Sequence, residues 1–162
     1  MTVEIRNAVE RAKRRDARQG AALHAVWQHF MDHGGPVPLE AVEQSVATEP
    51  SVDVREAIKA LDEADLVLLQ DGVIQFAYPF TTGPNTFAVE LPGGVIRYAC
   101  CAIDALGLAP MLDESIRVRS GCHHCGEPLA IEVSPDGPRS LPEVMVWVAP
   151  RDACAGRVAS GL

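Results

Sequence analysis

No apolar run in the 162-residue chain reaches the roughly 18 residues that a membrane span needs, and Met1-Thr2-Val3-Glu4 does not begin a signal peptide. These two absences predict a cytoplasmic protein. Basic residues are also scarce: 14 Lys and Arg face 22 Asp and Glu, a net charge of −8. Phosphate neutralisation needs clustered cations, so nucleic acid is disfavoured as a partner. Cysteine pairing is lacking too. Five cysteines is an odd count, and without an export signal a disulfide framework is not expected. Reactive or metal-binding thiols are the better reading. What remains is 48% hydrophobic and 22% charged, the balance of a folded globular chain.

Three regions follow. Residues 1–20 hold Arg6, Arg11, Lys13, Arg14, Arg15 and Arg18 against Glu4, Glu10 and Asp16, and read as a solvated helix or tail. Residues 21–80 read as three helices and a hairpin. Ala22, Leu23, Val26, Trp27 and Phe30 recur at helical spacing until Gly34-Gly35-Pro36 stops them. Pro38 opens a short helix with Leu39, Val42 and Val46. A third helix carries Val54, Ile58 and Leu61 and is expected to be capped at Pro50-Ser51. Two β-rich runs, Leu66–Leu69 and Val73–Phe76, flank Asp71-Gly72, a hairpin signal. This order describes a winged-helix-like module. Only Arg55 and Lys59 face ten acids within it, so it is read as scaffold, and DNA is not expected as a partner.

Pro79–Pro84 reads as a linker. Residues 85–162 read as a small mixed sheet around a central cysteine-bearing helix, for an α+β protein overall. Strands are expected at Phe87–Leu91, Ser115–Arg119, Leu129–Val133 and Val144–Val148, and a helix over Tyr98–Leu108. Phe76, Phe80, Trp27 and Phe30 are assigned to the core. His24, His29 and His33 are read as exposed or partly packed.

Two constellations could carry chemistry. In Tyr98-Ala99-Cys100-Cys101-Ala102-Ile103-Asp104 a helix puts Cys101 and Asp104 on one face. With Cys101 in the first turn, the helix dipole and Arg97 would favour its thiolate, and Asp104 could deliver a proton. The same spacing also suits buried small cysteines beside a surface acid. The second constellation is Cys122-His123-His124-Cys125-Gly126, whose two thiols could grip one soft cation such as zinc or copper. A closed zinc site needs further ligands, and no second Cys-x-x-Cys exists, so His123, His124 or Cys154 would complete it. A redox dithiol or incidental thiols fit the same residues.

The segment Tyr98–Asp104 resembles the Tyr-Ala-x-Cys-Ala-Leu-Asp signature of the alkylmercury (organomercurial) lyase family. Ile116–Cys122 is similar to the strand that ends in that family's structural cysteine, and Gly126–Leu129 through Val133-Ser134-Pro135 to the strand and turn after it. The resemblance covers roughly residues 20–148, is densest over 95–135, and implies a divergent, C-terminally shortened member. It further implies that Cys101 binds the mercury of R–Hg⁺, that Asp104 delivers a proton to the departing carbon, and that a second cysteine shares the metal, a role for which Cys154 is the available residue. No resident cofactor is implied. Excess thiol is the co-reactant, and mercuric reductase or another metal acceptor takes the product. The extra thiols Cys100 and Cys125, and His123 and His124, depart from the family pattern. They leave open a second reading, a non-enzymatic soft-metal binding protein built on Cys122 and Cys125.

Overall fold

The computed structural model describes residues 17–47, 53–139 and 143–146. The expectations for residues 1–16, the Pro50-Ser51 cap and Cys154 lie outside them.

Helix α1 (Ala17–His33) buries one stripe, Ala22, Leu23, Val26 and Phe30. It ends where Gly34 takes a φ of 80° and its N–H donates to the Phe30 carbonyl at 3.0 Å, a left-handed step that glycine adopts without Cβ strain. Strand β1 (Val37–Pro38) leads into α2 (Leu39–Val46), and α3 (Val54–Glu63) follows. The cap of α3 is Asp53, whose carboxylate accepts the Glu56 N–H at 3.0 Å.

The expected hairpin is present as β2 (Val67–Gln70) and β3 (Val73–Ala77). Gln70 pairs with Val73, leaving Asp71 and Gly72 as a two-residue turn with φ of 51° and 77°. Positive φ at both central positions is what the right-handed twist of a hairpin selects.

The segment read as a linker contains β4 (Phe80–Thr81), which pairs with β3 on one side and with β6 (Ile96–Ala99) on the other. Beyond it come β5 (Ala88–Glu90), β7 (Ile116–Gly121), β8 (Pro128–Ser134) and β9 (Gly137–Pro138). Together they form one nine-stranded sheet in the order β1-β3-β4-β6-β5-β7-β8-β9, with β2 beside β3. A mixed sheet was the expectation; every pairing among the described residues is antiparallel. Val144–Val146 form no strand, and residues 147 and 148 lie outside the described set.

Helix α4 (Ala102–Leu112) starts later than the sequence predicts. Tyr98 and Ala99 belong to β6, where Thr81 and Phe80 hold them in register. Ala105, Leu108 and Ala109 of α4 pack on the sheet. The resulting core is continuous from Ala22 on α1 to Val133 on β8. At its centre Phe30 and Phe80 stack with ring centroids 5.9 Å apart. Among the described residues no helix is long and apolar enough to cross a membrane.

Candidate active site

The α+β frame brings Cys100, Cys101 and Asp104 to the junction between β6 and α4. Cys101 is the N-cap of α4, with extended backbone (φ −151°, ψ 178°). An N-cap side chain faces back over the first turn, and a carboxylate three residues on reaches the same space. Accordingly, the Cys101 S–H donates to Asp104 Oδ2 at 2.9 Å, and the Asp104 N–H donates to Cys101 Sγ at 3.5 Å. The sequence-predicted pair is therefore in direct contact, both members half-buried.

The electrostatics differ from the expectation. Cys101 was to be a thiolate favoured by the helix dipole and Arg97. Burial instead pushes its thiol above the ordinary range, and the hydrogen bond to the Asp104 carboxylate pushes the same way, against smaller opposing contributions from the Asp104 and Ile103 amides. Arg97 turns away: its Nε and Nη2 donate to the Met31 carbonyl of α1, at 2.9 and 2.5 Å. Burial raises Asp104 as well, partly offset by the bonds it accepts from Cys101. Burial thus favours the protonated form of both members of the pair.

Cys100 points the other way, into the core. Its thiol donates to the Phe80 carbonyl at 3.3 Å, its N–H donates to the Pro79 carbonyl at 3.0 Å, and burial drives its pKa strongly upward. Adjacent cysteines on extended backbone face opposite sides, so one is a core residue and the other faces Asp104.

Sequence reasoning missed Tyr78. Its ring meets Phe76 edge-on at 5.1 Å and packs on Cys100. Burial raises its phenol, with smaller contributions in the same direction from Asp65, Cys100, Asp104 and Cys101. Only its place two residues before β4 could have signalled this.

Cys122, His123, His124 and Cys125 form the turn between β7 and β8. Hydrogen bonding from the Cys125 and His124 amides lowers the Cys122 thiol below its ordinary range, against a smaller opposing contribution from Glu127, and the Cys125 thiol donates to Glu127 Oε2 at 4.0 Å. Both histidines and Cys125 are exposed. Among the described residues no group of three or more His, Cys, Asp or Glu is arranged to hold a metal ion.

A family model described as MerB, alkylmercury lyase, matches residues 80–162. The alkylmercury lyase of Staphylococcus epidermidis is 26% identical over 123 residues, 73% of this chain and 55% of that protein. The Streptomyces lividans alkylmercury lyase is 30% identical over 122 residues, 72% of this chain and 54% of the relative. The chain thus spans about half the length of these curated relatives. A crystal structure of the mercury-bound form of MerB2 shares the fold, with a TM-score of 0.58 at 21% identity over 74% of this chain and 58% of that one. The match of the family model to just over half of the sequence, on a fold that superposes with a solved MerB2, places this chain in the alkylmercury lyase family.

Proposed function

We propose that the chain cleaves the carbon–mercury bond of organomercurials by protonolysis, with Cys101 as the mercury ligand and Asp104 as the proton carrier. The observation that carries this reading is the 2.9 Å contact between the Cys101 thiol and Asp104 Oδ2. Mercury(II) is soft and prefers thiolate. When R–Hg⁺ meets Cys101, the S–Hg bond forms as the thiol proton passes to Asp104, giving neutral R–Hg–S–Cys101 and a protonated carboxyl. A second thiolate, from Cys154 or an external thiol, then adds to mercury. The C–Hg bond breaks, its electron pair takes the Asp104 proton as R–H, and the carboxylate is regenerated. Exchange with one more external thiol, or with two where Cys154 holds the metal, returns the proton to Cys101 and releases Hg(SR)₂. No electron is transferred overall, and no free carbanion forms.

The raised proton affinities of both groups support these roles. A thiol that keeps its proton until mercury arrives supplies the proton that carbon later receives, and a partly desolvated carboxyl group can hold it in between. The N-terminal helices and hairpin we read as a winged-helix-like scaffold. The product acceptor, by the same reading, is a thiol or a mercuric reductase, and no resident cofactor takes part.

Incubation with phenylmercury and excess thiol tests the reading. Catalytic benzene release that disappears in Cys101→Ala is expected. Absence of benzene from the wild-type protein, or full turnover in Cys101→Ala, would overturn it.

A further inference from the structure

The β7–β8 turn carries a second pair of sulfurs that the lyase reaction does not use. Strands β7 and β8 pair over six positions, from Ile116↔Val133 to Gly121↔Pro128, so the turn sits at the end of a well-supported ribbon. The Cys122 N–H donates to the Glu127 carbonyl and the Gly126 N–H to the Cys122 carbonyl, both at 2.8 Å. Gly126, with a φ of 74°, bends the chain back behind Cys125, a conformation that a side chain would strain. The turn closed by the bond from the Gly126 N–H to the Cys122 carbonyl sets Cys122 and Cys125 three residues apart on one tight loop, with the Cys125 side chain exposed and its thiol 4.0 Å from Glu127 Oε2.

Zinc asks for four ligands, and no third His, Cys, Asp or Glu joins the pair among the described residues. A soft cation satisfied by two thiolates needs no third ligand. We propose that Cys122 and Cys125 form a two-thiolate chelate for a soft d¹⁰ cation such as mercury(II), separate from the Cys101–Asp104 pair. Loading is a ligand exchange: Hg(SR)₂ gives up two thiolates, each leaving with a proton from Cys122 or Cys125, and two S–Hg bonds replace two. Because the second exchange is intramolecular, the pair outcompetes a monothiol of equal basicity. The proposal does not rest on the lyase reading and holds for a chain with no turnover.

The test uses the full chain carrying Cys101→Ser, mercury(II) supplied with excess monothiol, and native mass spectrometry as the readout. One retained mercury is expected, with affinity falling at least tenfold in Cys122→Ser and in Cys125→Ser. His123→Ala and His124→Ala should change it by less than about twofold. These positions lie on an exposed turn, and circular dichroism checks that each variant is folded. Unchanged mercury affinity in the Cys122→Ser/Cys125→Ser double variant would overturn the proposal. So would a histidine variant as weak as the cysteine ones, or cobalt(II) binding with a tetrahedral four-ligand spectrum.

Discussion

Trp27 Nε1 donates to the Tyr78 carbonyl oxygen at 2.8 Å, joining α1 to a residue 51 positions later. The next carbonyl, that of Pro79, accepts the Cys100 N–H. The indole thereby holds the strand entry against which the cysteine pair is hung. Trp27→Phe keeps most of the packing but leaves the Tyr78 carbonyl without this donor. A loss of about 1–3 kcal/mol is expected, read by calorimetry as a melting temperature lower by several degrees. An unchanged melting temperature would show that this bond does not contribute to stability.

Asp104→Asn keeps the shape of the pair and removes its proton acceptor. Mercury should still bind at Cys101, while hydrocarbon release in a single turnover falls by about 10²–10⁴-fold, the usual weight of a positioned general acid. The variant should also shift a titration. The Asp104 carboxylate is one of the groups that hold the Cys101 thiol proton on, so thiolate absorbance in the Asn variant should grow in at lower pH than in the wild type. Coincident titration curves would separate the two residues electrostatically.

Alkaline stability follows from Cys100. Its folded pKa is raised by burial above the ordinary thiol value of 9.0, so the native state keeps a proton that the unfolded chain loses. The stabilisation is complete below pH 9 and is lost as pH rises through the folded value. Tyr78, raised from 10.0 by burial, adds the same dependence above pH 10. Denaturant midpoints should therefore decline above pH 9, with a shallower slope in Cys100→Ala even though that variant begins less stable. Parallel slopes in the two proteins would remove Cys100 as the cause.

Two glycines should respond to alanine in opposite directions. A Cβ at Gly83 would sit 1.7 Å from Tyr98 Cδ2, inside the ring, whereas one at Gly107 on α4 meets nothing within 4 Å. Gly107→Ala should stabilise by up to about 1 kcal/mol through helix propensity. Gly83→Ala should displace Tyr98 and destabilise strongly. Chemical denaturation of both variants reads the contrast directly, and equal midpoints would contradict the packing described for Tyr98.

What the sequence made legible was local. Asp71-Gly72 announced the hairpin because only a few residues accept positive φ twice in succession, and Cys101 and Asp104 announced themselves because i and i+3 meet on any helix start. The start of α4 was misplaced because Tyr98 and Ala99 suit a helix by composition, while their partners in β4, Thr81 and Phe80, are 17 and 19 residues away in sequence. Arg97 was assigned to the wrong neighbour for the same reason, since the Met31 carbonyl that it binds lies 66 positions upstream. Burial of the cysteines, which reverses the expected direction of the Cys101 pKa, depends on which strands cover them, and periodicity carries no record of that.

Strand β4 also bears on how this chain can change length over generations. Phe80 and Thr81 are each matched to partners on both sides, Phe80 to Ala77 and Ala99, Thr81 to Phe76 and Tyr98. One inserted residue between Ala77 and Phe80 would turn Phe80 out of the core and set a different side chain against Phe30, since strand faces alternate. The exposed Pro92–Val95 connection, with two glycines at positive φ, carries no such constraint. Insertions and deletions should therefore collect in the latter loop, while the stretch read from sequence as a spacer keeps its residue count.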